Sequence, residues 1–235
     1  MVLVHGWCCH AGFWRHQVDD LAPGRDVVTV DLGQHRGAPT IAAFADAVCG
    51  IAGQLPHPAL ALVGHSMGGP VAFEAAVRLG GRCRLLLGVD TFTDAAFYGR
   101  RPEAEIETRM HGFAGDFAAT MQSMVARIMA PDADPALVGW VTVQMATAAP
   151  DVALAALRSL LAWDIGTRWP ARPCAVETIN SAWLDTACEQ VAGLDGLRVH
   201  ALDGVGHFPM LEAPARFNAL ARAILARHLG PAHAA

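Results

Sequence analysis

The chain contains no lysine, and all 17 of its basic residues are arginine. Set against 22 acidic residues, this gives a formal net charge of -5. No broad basic surface follows, which excludes nucleic acid or an anionic membrane as the main partner. The sequence is rich in alanine, so the arginine bias reflects a GC-rich coding sequence and carries little functional weight. Long apolar runs are also missing. Hydrophobic residues make up 53% of the chain, yet no run approaches the ~20 residues of a transmembrane helix. The N-terminus lacks the basic flank and cleavage pattern of a signal peptide. The expectation is a soluble, cytoplasmic protein acting on a small molecule, with no membrane partner. Cysteines are few and scattered: Cys8, Cys9, Cys49, Cys83, Cys174 and Cys188 lie in apolar segments without metal-ligand spacing. They read as buried small hydrophobes, and neither a metal nor another cofactor is expected.

What the sequence does contain is alternation. Short apolar strands are predicted at Met1–Val4, Val27–Val30, Ala59–Val63, Arg84–Val89, Cys174–Ile179 and Leu197–Ala201. Helices are predicted between them at Phe13–Leu21, Ile41–Gln54, Pro70–Leu79 and Ala215–His228. Continuous apolar strands separated by helices imply an α/β fold, a mostly parallel sheet covered on both faces. A length of 235 residues suits one domain with a large core. The alternation breaks between about Phe97 and Ala149, where there is no convincing strand and five methionines are interspersed with prolines. This segment reads as a helical cap, residues 97–149, inserted into a core formed by 1–96 and 150–235. Its methionines suit core filling or an adaptable apolar wall facing a substrate. The chain begins directly in a strand, so N-terminal edge strands are either absent or precede the given start. A sheet beginning at Met1 would leave an exposed edge that a second subunit, in a homodimer, could cover.

The most informative segment is Leu60-Ala61-Leu62-Val63-Gly64-His65-Ser66-Met67-Gly68-Gly69. An apolar strand runs into a serine flanked by glycines, and a helix follows. This is the layout of a nucleophile elbow, a turn so tight that side chains two residues before and after the serine would collide with it. A serine hydroxyl needs a base to take its proton, and that base needs an orienting carboxylate. His207, in Gly204-Val205-Gly206-His207-Phe208-Pro209 between the last strand and the last helix, is the best placed of the histidines. His65, beside the nucleophile, is read as structural, and His5 as a residue that hydrogen-bonds nearby loops. The oxyanion donors are expected to be the backbone N–H groups of Met67, after the nucleophile, and Trp7, in the first strand–helix loop.

With these motifs in place, the chain resembles α/β-hydrolase fold enzymes of the single-domain esterase, lipase and acyl-hydrolase type. The resemblance rests on His5-Gly6-Trp7, Trp14, Val30-Asp31-Leu32-Gly33-Gln34-His35-Arg36-Gly37, the elbow, and Gly206-His207-Phe208-Pro209-Met210-Leu211-Glu212-Ala213-Pro214. It covers nearly the whole chain apart from the insertion. It implies a catalytic triad ordered serine, acid, histidine. The acid departs from the family pattern, because the loop after the next-to-last strand reads Asn180-Ser181-Ala182-Trp183-Leu184-Asp185, with its one carboxylate late. The other candidate is Asp90, at the end of the strand after the elbow helix. Asp90 is preferred over Asp185 because a strand end is held more rigidly than a loop.

The leading expectation is a serine hydrolase of an ester, thioester or lactone with a largely apolar acyl or alcohol part, using Ser66, His207 and Asp90. Two others stand beside it. One is a non-hydrolytic enzyme on the same fold, such as a cofactor-free oxygenase, lyase or C–C hydrolase with His207 as base. The other is a catalytically decayed ligand-binding protein.

Overall fold

The computed structural model describes the chain apart from residues 114, 185, 187–192 and 231–235, and apart from the side chains of Ala95 and Ala96. Six parallel strands form one sheet: β1 (Val2–Val4), β2 (Val28–Val30), β3 (Leu60–His65), β4 (Cys83–Val89), β5 (Ala175–Ser181) and β6 (Arg198–Leu202). Their order is β2-β1-β3-β4-β5-β6. Each strand lies within two residues of its expected bounds. β1 is an interior strand, paired with both β2 and β3, so the edge expected at Met1 does not exist; β2 and β6 are the edges. The reversal of strand order around β1 and β3 places a crevice beyond the carboxyl ends of these strands.

Helices cover both faces. Thr40 caps α2 (Ile41–Gln54), its hydroxyl accepting from the Ala43 N–H, and Ile41, Phe44, Ala45, Val48 and Ala52 form the buried stripe at helical spacing. α3 (Gly68–Leu79) is buried through most of its length, packed on the sheet with α2 against it. α1 (Arg15–Leu21) packs against the C-terminal helix Pro214–Leu229, which begins on a proline whose missing N–H costs nothing there.

Between β4 and β5 the described chain is helical: α4 (Ala95–Tyr98), α5 (Glu103–His111), α6 (Phe117–Ile128), α7 (Pro135–Ala146), α8 (Pro150–Ala162) and α9 (Ile165–Arg168). Asp116, Asp134 and Asp164 cap α6, α7 and α9 through their carboxylates. Beyond β6 follow α10 (Pro209–Glu212) and α11 (Pro214–Leu229). Among the described residues, no single helix is long and apolar enough to cross a membrane.

Candidate active site

The elbow is built by steric necessity. β3 delivers the chain to Ser66, whose φ of 50° lies in the left-handed region, and α3 starts two residues later. A Cβ on Gly64 would sit 2.2 Å from the Gly68 carbonyl oxygen, and one on Gly68 would sit 2.3 Å from that of Val4. Only glycine lets strand, turn and helix approach so closely. A serine held at positive φ costs about 1–3 kcal/mol. The turn is held by hydrogen bonds from Ser66 N–H to the Val89 carbonyl (3.0 Å), from Gly69 N–H to the Ser66 carbonyl (2.8 Å) and from the Thr91 hydroxyl to the same carbonyl (3.0 Å).

Asp90 sits at the end of β4, also at positive φ (45°), and its side chain is fully buried. Its Oδ2 meets His207 Nδ1 at 2.5 Å. Its Oδ1 accepts from the Ser181 N–H (2.8 Å) and the Thr186 hydroxyl (2.6 Å). The carboxylate is thus satisfied on both oxygens, as a buried charge must be. A carboxylate accepts, so Nδ1 of His207 carries the proton and Nε2 is left as the basic nitrogen. The other candidate acid, Asp185, lies outside the described residues.

The loop carrying His207 is clamped from two sides. The His207 N–H donates to the Ile128 carbonyl at 2.7 Å, and a Cβ on Gly206 would lie 2.2 Å from that same oxygen, so the glycine is required by the end of α6. The Glu212 carboxylate accepts from the N–H groups of Gly206 and Ala130 (2.9 Å each) and of Phe208 (3.0 Å), joining the loop to the helical segment above it. His65 Nε2 donates to the His207 carbonyl at 2.8 Å, and the two rings are 4.8 Å apart. Burial, with His207 beside it, pushes the His65 imidazole well below its usual pKa, so it stays neutral. His5 accepts from the Leu32 N–H (2.9 Å) and donates to the Gly6 carbonyl (2.8 Å), tying the Trp7 loop to the loop after β2.

Of the two expected oxyanion donors, Met67 directly follows Ser66 and Trp7 lines the same cavity as Ser66. Among the described residues, neither the Trp7 nor the Met67 backbone N–H donates to another group of the chain. The Trp7 indole is anchored at 2.7 Å to the Ala153 carbonyl of α8. Four groups important to this site were not singled out as contributors from sequence: Ser181, Thr186, Glu212 and the buried Asn180. The Asn180 amide group lies within reach of the Thr91 carbonyl, the Thr93 hydroxyl and the Thr186 carbonyl. For Asn180 and Ser181, polar residues closing an otherwise mostly apolar strand were the available signal.

Ser66, Asp90 and His207 open onto a cavity of about 260 Å³. Its walls are mostly apolar, with Met124, Ile128 and Met145 from α6 and α7 and Leu157 and Leu160 from α8. Met121 and Met129 are buried in the core instead, so the methionines divide between the two roles expected for them. Tyr98 also lines the cavity, with the Thr91 and Ser66 hydroxyls beside its own; burial pushes its phenol pKa up. Among the described residues, no group of three or more histidine, cysteine or acidic side chains is placed to hold a metal ion.

Comparison with known proteins agrees with this architecture. The pimeloyl-[acyl-carrier protein] methyl ester esterase of Chromobacterium violaceum is 32% identical over 132 residues, 54% of this chain and 52% of that protein. The enzyme of the same name from Yersinia pestis is 35% identical over 135 residues, 54% and 50% respectively. The chain thus matches about half the length of these curated relatives. Among solved structures, a thermophilic esterase from Thermogutta terrifontis has a TM-score of 0.79 at 22% identity, covering 97% of this chain and 89% of its own. The enol-lactonase from Burkholderia xenovorans has a TM-score of 0.77 at 17% identity, covering 95% and 90%; both share the fold. The model of the alpha/beta hydrolase family matches residues 1–220. With a sheet, elbow and histidine loop in that family's order, and a family match over most of its length, this chain belongs to the alpha/beta hydrolase family.

Proposed function

We propose that the chain is a serine hydrolase of a carboxylic ester, thioester or lactone whose acyl or alcohol part is largely apolar. The observation that carries this reading is the 2.5 Å contact of Asp90 with His207 in the cavity that Ser66 lines. Ser66 Oγ attacks the carbonyl carbon while His207 Nε2 takes its proton, and Asp90 stabilises the imidazolium that results. The carbonyl oxygen gains charge and is met by the Trp7 and Met67 N–H groups at the positive end of α3. His207 returns the proton to the departing alcohol, thiol or ring oxygen. Water, deprotonated by the same histidine, then cleaves the acyl-enzyme.

Two further findings support the substrate class. The cavity wall is built of methionine, leucine and isoleucine side chains, which suits an apolar chain. The relatives that match half of this chain are named as esterases acting on a methyl ester. Against a binding-only reading stands the Asp90–His207 contact at the cavity that Ser66 lines, which a protein that only binds a ligand does not need.

The test is labelling by a fluorophosphonate probe together with turnover of short-chain p-nitrophenyl esters. Wild-type protein is expected to be labelled at Ser66 and to release p-nitrophenol, and Ser66→Ala to do neither. A folded wild-type protein that is not labelled and turns over no ester in the series would overturn the proposal.

A further inference from the structure

At the end of the sheet away from Ser66, two cysteines meet. Cys83 opens β4 and Cys174 immediately precedes β5, and their Sγ atoms are 3.7 Å apart. An irregularity in β4 underlies the contact. β3 pairs Leu60 with Cys83 and then Ala61 with Leu85, leaving Arg84 as an extra residue. Such a bulge breaks the alternation of faces and re-aims the side chain next to it. Cys83 is buried, whereas Cys174 is only partly so. Cys83 Sγ also lies 3.5 Å from the Leu85 carbonyl; the sulfurs of Cys9 and Cys49 have backbone carbonyls, of Trp7 and Ala75, but no sulfur partner among the described residues.

We propose that Cys83 and Cys174 are a thiol-oxidation site that closes to a disulfide when the protein meets a peroxide. The Cys174 thiolate attacks one peroxide oxygen; an S–O bond forms, the O–O bond breaks, and the departing hydroxide is protonated to water. This leaves Cys174 as a sulfenic acid. The Cys83 sulfur then attacks the Cys174 sulfur; the S–S bond forms, the S–O bond breaks, and the Cys83 proton leaves with the hydroxide as a second water. Two thiols lose two electrons in all, and the peroxide gains them.

The order of attack follows from the environment. The Cys83 contact lowers the Cys174 thiol below its usual pKa against the opposing effect of burial, while the same contact and burial push Cys83 up. The more exposed sulfur is therefore the better nucleophile. Bond formation requires the sulfurs to close to about 2.05 Å. Cys174 lies outside the strand ladder, so its side chain and local backbone can adjust without breaking strand hydrogen bonds. The bond would enclose β4 and every helix from α4 to α9 in one covalent loop, restricting the unfolded chain.

The full chain is treated with hydrogen peroxide, alkylated and digested, and its peptides are identified by mass spectrometry. The expected result is a Cys83–Cys174 cross-linked peptide that dithiothreitol removes, a higher melting temperature for the oxidised protein, and unchanged esterase turnover. In Cys83→Ser, Cys174 should stop at a sulfenic acid that dimedone traps; Cys174→Ser, at the more exposed position, guards against misfolding of the first variant and should form no cross-link at Cys83. The proposal is overturned if wild-type Cys174 passes to sulfinic acid with Cys83 still a free thiol. Cross-linking of either cysteine to a different one, or no oxidation of the pair at all, overturns it equally.

Discussion

Asp90 and His207 are 117 residues apart in the chain and 2.5 Å apart in the fold. The carboxylate comes from the end of β4, and the histidine from the loop after β6. Parallel strands place these ends on the same side of the sheet. Asp90→Asn keeps the shape but presents a donor where the imidazole needs an acceptor. The expected result is a fall in kcat of about 10⁴-fold with little change in KM on a p-nitrophenyl ester. A loss of less than tenfold in folded protein would remove Asp90 from this role.

Glu212 serves three backbone N–H groups, at Ala130, Gly206 and Phe208. Glu212→Ala leaves them without that partner and loosens the histidine loop from the end of α6. Hydrogen bonds to a charged group contribute roughly 1.5–3 kcal/mol each, partly recovered by water. Urea unfolding is expected to show a loss of at least about 2 kcal/mol, with kcat falling because His207 is less well held.

Glu177 lies buried on β5 and receives His228 (2.6 Å), His200 (2.7 Å), Arg227 (2.7 Å) and Arg198 (3.3 Å). Burial alone would raise its pKa, but hydrogen bonds from His228, His200 and Arg227 outweigh that and bring it down from 4.5 to about 2. A depressed carboxylate stabilises the fold above its unfolded pKa, and that contribution is lost as pH falls through the folded value. Stability should therefore drop between pH 4.5 and about 2, by on the order of 3 kcal/mol from this group. Glu177→Gln should be less stable near neutral pH and show a flatter acid dependence in urea titrations. An acid slope identical to wild type would remove Glu177 as its source.

Gly64→Ala places a methyl group 2.2 Å from the Gly68 carbonyl oxygen. Backbone on both sides of the elbow must shift, at a cost of about 1–3 kcal/mol or more. Thermal unfolding should report a lower melting temperature, and labelling should slow because the Ser66 side chain is displaced.

The elbow was legible because its cause is local. Glycines at 64 and 68 around Ser66 answer to contacts within a few residues, and the strand before and helix after carry their own periodicities. His207 was legible for a similar reason, since it sits in a glycine-bearing loop between a strand and a proline-started helix. The interior position of β1 was not, because strand order depends on which crossover packs on which face. Nor was the work of Thr186, Asn180 and Glu212, each of which joins near neighbours to a distant residue, Asp90, Thr91 and Ala130 respectively.

The sequence by itself therefore determined the alternation of strands and helices, the tight turn at Ser66 and the place of His207 in the loop after the last strand, all features set by neighbours along the chain. Only the tertiary structure decided that Asp90 meets His207, and that methionines from α6 and α7 wall the cavity while others fill the core. Those outcomes depend on how parallel strand ends and inserted helices come together in space, and spacing along the chain does not encode them.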